Sequence, residues 1–102
     1  MRRIRRSATY IRELQALLEQ GLPKFGFDVV AAKQQRIDDF VAFLARYPGA
    51  GIIDPDIGLR VSPISRTPFA VAYDFDDDEL RLHFIFHQHA DRTRLDFKAV
   101  EW

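Results

Sequence analysis

No cysteine occurs in the 102 residues, so disulfides and thiolate-held metals are excluded. No apolar run approaches the roughly 18 residues that would span a bilayer. The basic start, Met1-Arg2-Arg3-Ile4-Arg5-Arg6, leads into an amphipathic segment and not into the apolar core of a signal peptide. A Gly-rich phosphate loop, a nucleophile elbow and a dinucleotide fingerprint are all missing. Net charge is missing too: Lys+Arg 15 balance Asp+Glu 15, which disfavours a general nucleic-acid binder. Lysine is scarce, with Lys24, Lys33 and Lys98 the only three among those cations. These absences lead to the expectation of a soluble, cytoplasmic protein in a reducing compartment, with no membrane partner and no cofactor.

What is present suits a single globular domain over residues 1–102, since hydrophobic residues make up 47% and charged residues 29%. The neutral total conceals an uneven layout. Arg2, Arg3, Arg5, Arg6 and Arg12 come early, Asp74, Asp76, Asp77, Asp78 and Glu79 cluster late, and Arg92, Arg94 and Lys98 follow. Arginine makes forked contacts with carboxylate or phosphate and sheds water more readily than lysine. The acidic cluster reads as the solvated turn of a hairpin, and it lacks the glycine and glutamate spacing of an EF-hand.

Along the chain, Arg2 to Arg6 reads as a strand with Ile4 inward, and Ser7 as a helix N-cap. Tyr10, Ile11, Leu14, Leu17, Leu18 and Leu22 recur at helical spacing until Gly21 and Pro23 interrupt. Asp28 can cap a second helix with a buried stripe of Val29, Val30, Ile37, Phe40, Val41, Leu44 and Tyr47, and Phe43 at its margin. Pro48, Gly49 and Gly51 end it. Leu59 to Ile64 reads as a strand near an edge because of Pro63. Phe69, Val71, Tyr73 and Phe75 then alternate with smaller or polar residues, as do Leu80, Leu82, Phe84 and Phe86 beyond the acidic turn. The expected architecture is α+β: an N-terminal strand, a two-helix hairpin, then a three-stranded antiparallel meander. They would form one small sheet, with Phe69, Tyr73, Phe84 and Phe86 packed on the helices.

This order, with Tyr47-Pro48-Gly49-Ala50-Gly51, Gly58-Leu59-Arg60, Phe69-Ala70-Val71-Ala72-Tyr73, the acidic turn and Leu82-His83-Phe84-Ile85-Phe86-His87, resembles the RelE/ParE toxin superfamily. The resemblance implies the toxin of a type II toxin–antitoxin, plasmid stabilisation module in bacteria, held inactive by a cognate antitoxin. In the RelE-like branch it implies cleavage of mRNA on the ribosome; in the ParE-like branch, inhibition of DNA gyrase without hydrolysis. RNA cleavage needs a base for the 2′-hydroxyl, cations for the phosphorane and an acid for the leaving oxygen. The RelE-like cluster of lysines, sheet arginines and a C-terminal tyrosine is largely missing: no lysine lies between Arg46 and Arg81, and no tyrosine follows Tyr73. The chain therefore reads nearer the ParE-like branch, inhibiting growth by binding a protein target.

Arg60, Arg66, His87, His89, Arg92 and Arg94 are the candidate contacts for target or antitoxin. Arg3 and Arg5 are candidates for an antitoxin-binding edge, where they would also discourage edge-to-edge pairing. If the chain is instead a nuclease, His87, His89 and Arg92 are the acid–base candidates, because imidazoles titrate near neutrality. His83, His87 and His89 would share a sheet face at a spacing that could hold zinc, but no second shell is evident and no metal is expected. A non-toxic relative that only binds a partner is the third reading.

Overall fold

The computed structural model describes residues 1–90 and 100–102. Strand β1 (Arg3–Arg6) leads into α1 (Ala8–Arg46), followed by a short 3-10 turn at Pro48–Ala50. Four strands follow: β2 (Ile52–Asp54), β3 (Leu59–Pro63), β4 (Phe69–Phe75) and β5 (Glu79–His87). The five form one sheet in the order β1-β5-β4-β3-β2, with β1 parallel to β5 and every other pair antiparallel. Among the described residues no helix is long and apolar enough to cross a membrane.

The α+β class holds, and three details differ from expectation. First, the two expected helical arms run on directly as one stretch of 39 residues, joined across a kink and not by a loop. Ser7 caps it as expected, its hydroxyl accepting from Tyr10 N–H at 2.8 Å. Gly21 and Pro23 stay helical; the break falls on Gly26 alone, at φ 80° and ψ 170°, which favours glycine. A straight helix of this length would reach about 58 Å, yet the longest dimension of the molecule is 38 Å. The kink brings Gly21 against Val30: a methyl group on Gly21 would lie 3.3 Å from the valine side chain.

Second, the sheet is mixed and larger than a meander. The short strand β2 was not expected, because Ile52-Ile53-Asp54 is too brief to show alternation. It pairs with β3 through Ile52–Val61 and Asp54–Leu59.

Third, a bulge in the β4–β5 pairing redistributes the aromatics. Ala72 lies opposite Phe84 but Tyr73 opposite Leu82, so His83 is the extra residue. One inserted residue reverses the alternation beyond it. Leu80, Leu82 and Ile85 therefore face the helix with Phe69, Val71 and Tyr73, closing a core over Tyr10, Ile37, Val41 and Leu44. Phe84 and Phe86 are turned to the far face, where they pack with Val61, Ala70 and Ala72 beneath Ala90 and Val100. The expected stripe of four aromatics on the helices is thus split between two faces.

The helix stripe is also corrected at its ends. Ile37 and Leu44 are fully buried, but Val29 is 43% and Tyr47 61% exposed. Tyr10 is buried as expected, and burial pushes its phenol up to about 12.

Candidate functional site

The motif Tyr47-Pro48-Gly49-Ala50-Gly51 owes its form to Tyr73. The Tyr73 hydroxyl donates to Pro48 O at 2.7 Å and accepts from Gly51 N–H at 2.8 Å. A Cβ on Gly51 would stand 2.5 Å from that oxygen, so glycine is required by close approach. Arg60 completes the joint: its Nη1 donates to Gly51 O at 2.8 Å, and its guanidinium lies 5.7 Å from the Phe75 ring centre. Arg60 is therefore half-buried in a structural fastening.

Arg66, His87 and His89 lie towards the other end of β4, where the histidines are neighbours and Arg66 sits in the adjoining β3–β4 turn. Register sets Arg60 opposite Tyr73 and His87 opposite Phe69, four residues along the strand, or about 13 Å. Gln88 ties the β3–β4 turn to the end of β5: its amide donates to Thr67 O and Phe69 O, each at 3.1 Å, and its backbone N–H to Pro68 O at 2.8 Å. In that turn Arg66 takes a left-handed conformation, φ 62°, which costs a non-glycine residue about 1 kcal/mol. His87 and His89 are exposed, with ring centres 5.7 Å apart, and His89 N–H donates to His87 Nδ1 at 3.3 Å. That bond puts the proton of neutral His87 on Nε2. Arg92 and Arg94 lie outside the described residues.

His83 does not join the other histidines. Its Nε2 is 3.0 Å from Asp74 Oδ1, and its ring meets Trp102 edge-on at 4.8 Å. Among the described residues, no group of three or more His, Cys, Asp or Glu could hold a metal ion.

A cluster the sequence reading missed surrounds Arg81. The guanidinium bonds Asp74 at 2.8 Å, Asp76 at 2.8 Å and Glu79 at 2.9 Å. Asp76 also accepts from Asp78 N–H and Glu79 N–H, folding the acidic turn on its own carboxylate. Hydrogen bonds from Arg81 and from the turn hold Asp76 down at about 2. Burial would raise Asp74, but the bonds from Arg81 and His83 outweigh it and its carboxyl is lowered; the three carboxylates raise Arg81 in turn. A signal was available in the sequence: Asp74 and Arg81 flank the turn at equal distance and become direct partners in a hairpin.

β1 forms one edge of the sheet among the described residues. Arg3 and Arg5 are exposed there, and Arg5 lies over the Trp102 ring at 4.9 Å. At the opposite edge Ile52 and Ile53 are 80% and 55% exposed beside a groove of about 460 Å³ that also touches Val61, Ala70 and Gln88.

No family model and no curated protein matches the sequence. Among solved structures, the chain superposes on a chain of the chromosomal ParDE TA system from P. aeruginosa with a TM-score of 0.75. The two share their fold. They are 20% identical, and the alignment covers 85% of this chain and 96% of that one. At that identity the likeness is one of fold.

Proposed function

We propose that the protein is the toxin of a type II toxin–antitoxin module, nearer the ParE-like branch, that arrests growth by binding a protein target and is neutralised by a cognate antitoxin. The carrying observation is the fold shared with a ParDE chain over 96% of that chain's length. The missing RelE-type lysines and tyrosine support a binding action over hydrolysis. DNA gyrase is the first target to test. Arg66, His87 and His89 at one end of the sheet are its first candidate contacts, with Arg92 and Arg94 to follow; Arg3 and Arg5 on the β1 edge are candidate antitoxin contacts. Arg60 is the weakest of the set, since it is engaged with Gly51. Induced expression is expected to arrest growth, and the purified protein to inhibit gyrase supercoiling. Unaffected growth at verified soluble expression would overturn the toxin reading and favour a relative that only binds a partner.

One observation favours a second reading. The two exposed imidazoles of His87 and His89 stand 5.7 Å apart, a distance at which one could accept and the other donate a proton. With Arg92 they would form a metal-independent mRNA endonuclease acting on the ribosome. Primer extension on translated messages during induction should then show cuts that vanish in His87→Ala; intact transcripts beside inhibited gyrase would exclude it.

A further inference from the structure

The C-terminal arm of α1 carries an aromatic ladder that starts half-buried against the core at Phe40 and runs out to exposed rings at Phe43 and Tyr47. Phe40, Phe43 and Tyr47 follow one another with ring centres 5.7 and 5.4 Å apart. Phe43 is 43% and Tyr47 61% exposed. Residues spaced this way share one helix face. A cavity of about 270 Å³ opens beside Phe40 and Phe43 and is bounded by Arg36 and Arg66. A second, of about 390 Å³, opens where Tyr47 meets Arg46 and Arg2.

Two arginines along this ridge donate to backbone carbonyls and not to carboxylates. Arg36 donates to a backbone carbonyl, Arg66 O, at 3.2 Å, and Arg2 to Asp76 O at 2.6 Å. Among the described residues no ion pair engages Arg2, Arg36, Arg46 or Arg66. The acids of this stretch are Asp38 and Asp39; Asp39 borders the first cavity and accepts from Gln35 at 2.9 Å. Two exposed rings, Phe43 and Tyr47, bracketed by guanidinium groups that no ion pair engages among the described residues, match the chemistry of a single nucleic-acid strand: bases stack on the rings and phosphates meet the cations.

We infer that the ridge Arg36–Tyr47, with Arg66 from the β3–β4 turn, is a binding site for single-stranded nucleic acid. The occupant follows from charge and shape together. An apolar partner would leave the arginines desolvated without counter-charge, whereas a phosphate backbone supplies that charge. The ridge is about 16 Å long, room for about three nucleotides. The site shares Arg66 with the candidate target contacts of the toxin reading but uses neither His87, His89 nor the β1 edge, and its readout is oligonucleotide binding and not growth arrest.

The test is fluorescence anisotropy of the purified protein with labelled oligouridine and oligothymidine of about a dozen nucleotides. Binding is expected to weaken roughly tenfold to twentyfold between about 50 and 200 mM salt, as neutralisation of about three phosphates requires. Tyr47→Ala should weaken it about tenfold, and Arg36→Ala with Arg66→Ala should abolish most of the salt dependence. Lys24→Ala, at the far kink, should change nothing. Absence of saturable binding at low salt would overturn the inference. So would binding unchanged in Tyr47→Ala, or tighter binding of a labelled Glu- and Phe-containing peptide that displaces the oligonucleotide.

Discussion

Arg81 and the ridge arginines are the same residue used in opposite ways. Arg81 is 21% exposed and meets three carboxylates within 2.9 Å, so its charge is consumed inside the fold. Arg36, Arg46 and Arg66 are exposed, and Arg36 is held by a carbonyl, which steadies the side chain without neutralising it. The balance of 15 cations against 15 anions therefore averages a closed cluster and an open one. A net charge says little about partners when three of the acids are folded onto a single arginine.

Arg60 stands between these extremes, and the largest expected effect lies in its fastening. Gly51→Ala should cost about 2–4 kcal/mol in urea unfolding, because the new methyl displaces the Tyr73 hydroxyl and with it the anchors to Pro48 and Arg60. A stability within error of wild type would show that the joint is loose. Next, Arg81→Ala should cost about 1 kcal/mol, chiefly through Asp74 and Glu79, while Arg46→Ala and Arg66→Ala each stay within about 0.5 kcal/mol. Equal losses in all three variants would erase the distinction between closed and open clusters.

Acid sharpens the same contrast. Asp74 and Asp76 are lowered in the fold, Asp76 to about 2. Their contribution is therefore complete above the ordinary carboxylate value and is lost as pH falls from about 4 towards about 2. Arg81→Ala should flatten the stability profile in that window, and Arg66→Ala should leave it unchanged; urea midpoints at stepped pH measure both. A smaller loss than at Arg81 is expected at Trp102, where Arg5 stacks and His83 meets the ring edge. Trp102→Ala should cost about 0.5–1 kcal/mol, read from the shift in thermal midpoint.

Much of the fold was legible because its signals are local. The N-cap at Ser7, the helical spacing through Ile37 and Leu44, and the alternation on both sides of the acidic turn all lie within a few residues of one another. Candidate contacts were less legible. Arg60 looked like its neighbours in sequence but is engaged with Gly51 nine residues away. Tyr47 fitted the buried stripe, yet the helix ends there and the ring turns outward. Trp102 gained its place only by meeting Arg5 and His83 from distant parts of the chain.

The sequence by itself determined the class, the order of helix and strands, and the apolar positions that pay for chain entropy, since periodicity is a property of neighbouring residues. Tertiary structure alone decided which face Phe84 and Phe86 occupy, where the 39-residue helix turns, and which arginines meet carboxylates. A one-residue bulge inverts a strand's faces without changing its composition. An arginine's charge is balanced within the fold or left facing solvent according to whether a carboxylate or a carbonyl arrives from elsewhere in the chain.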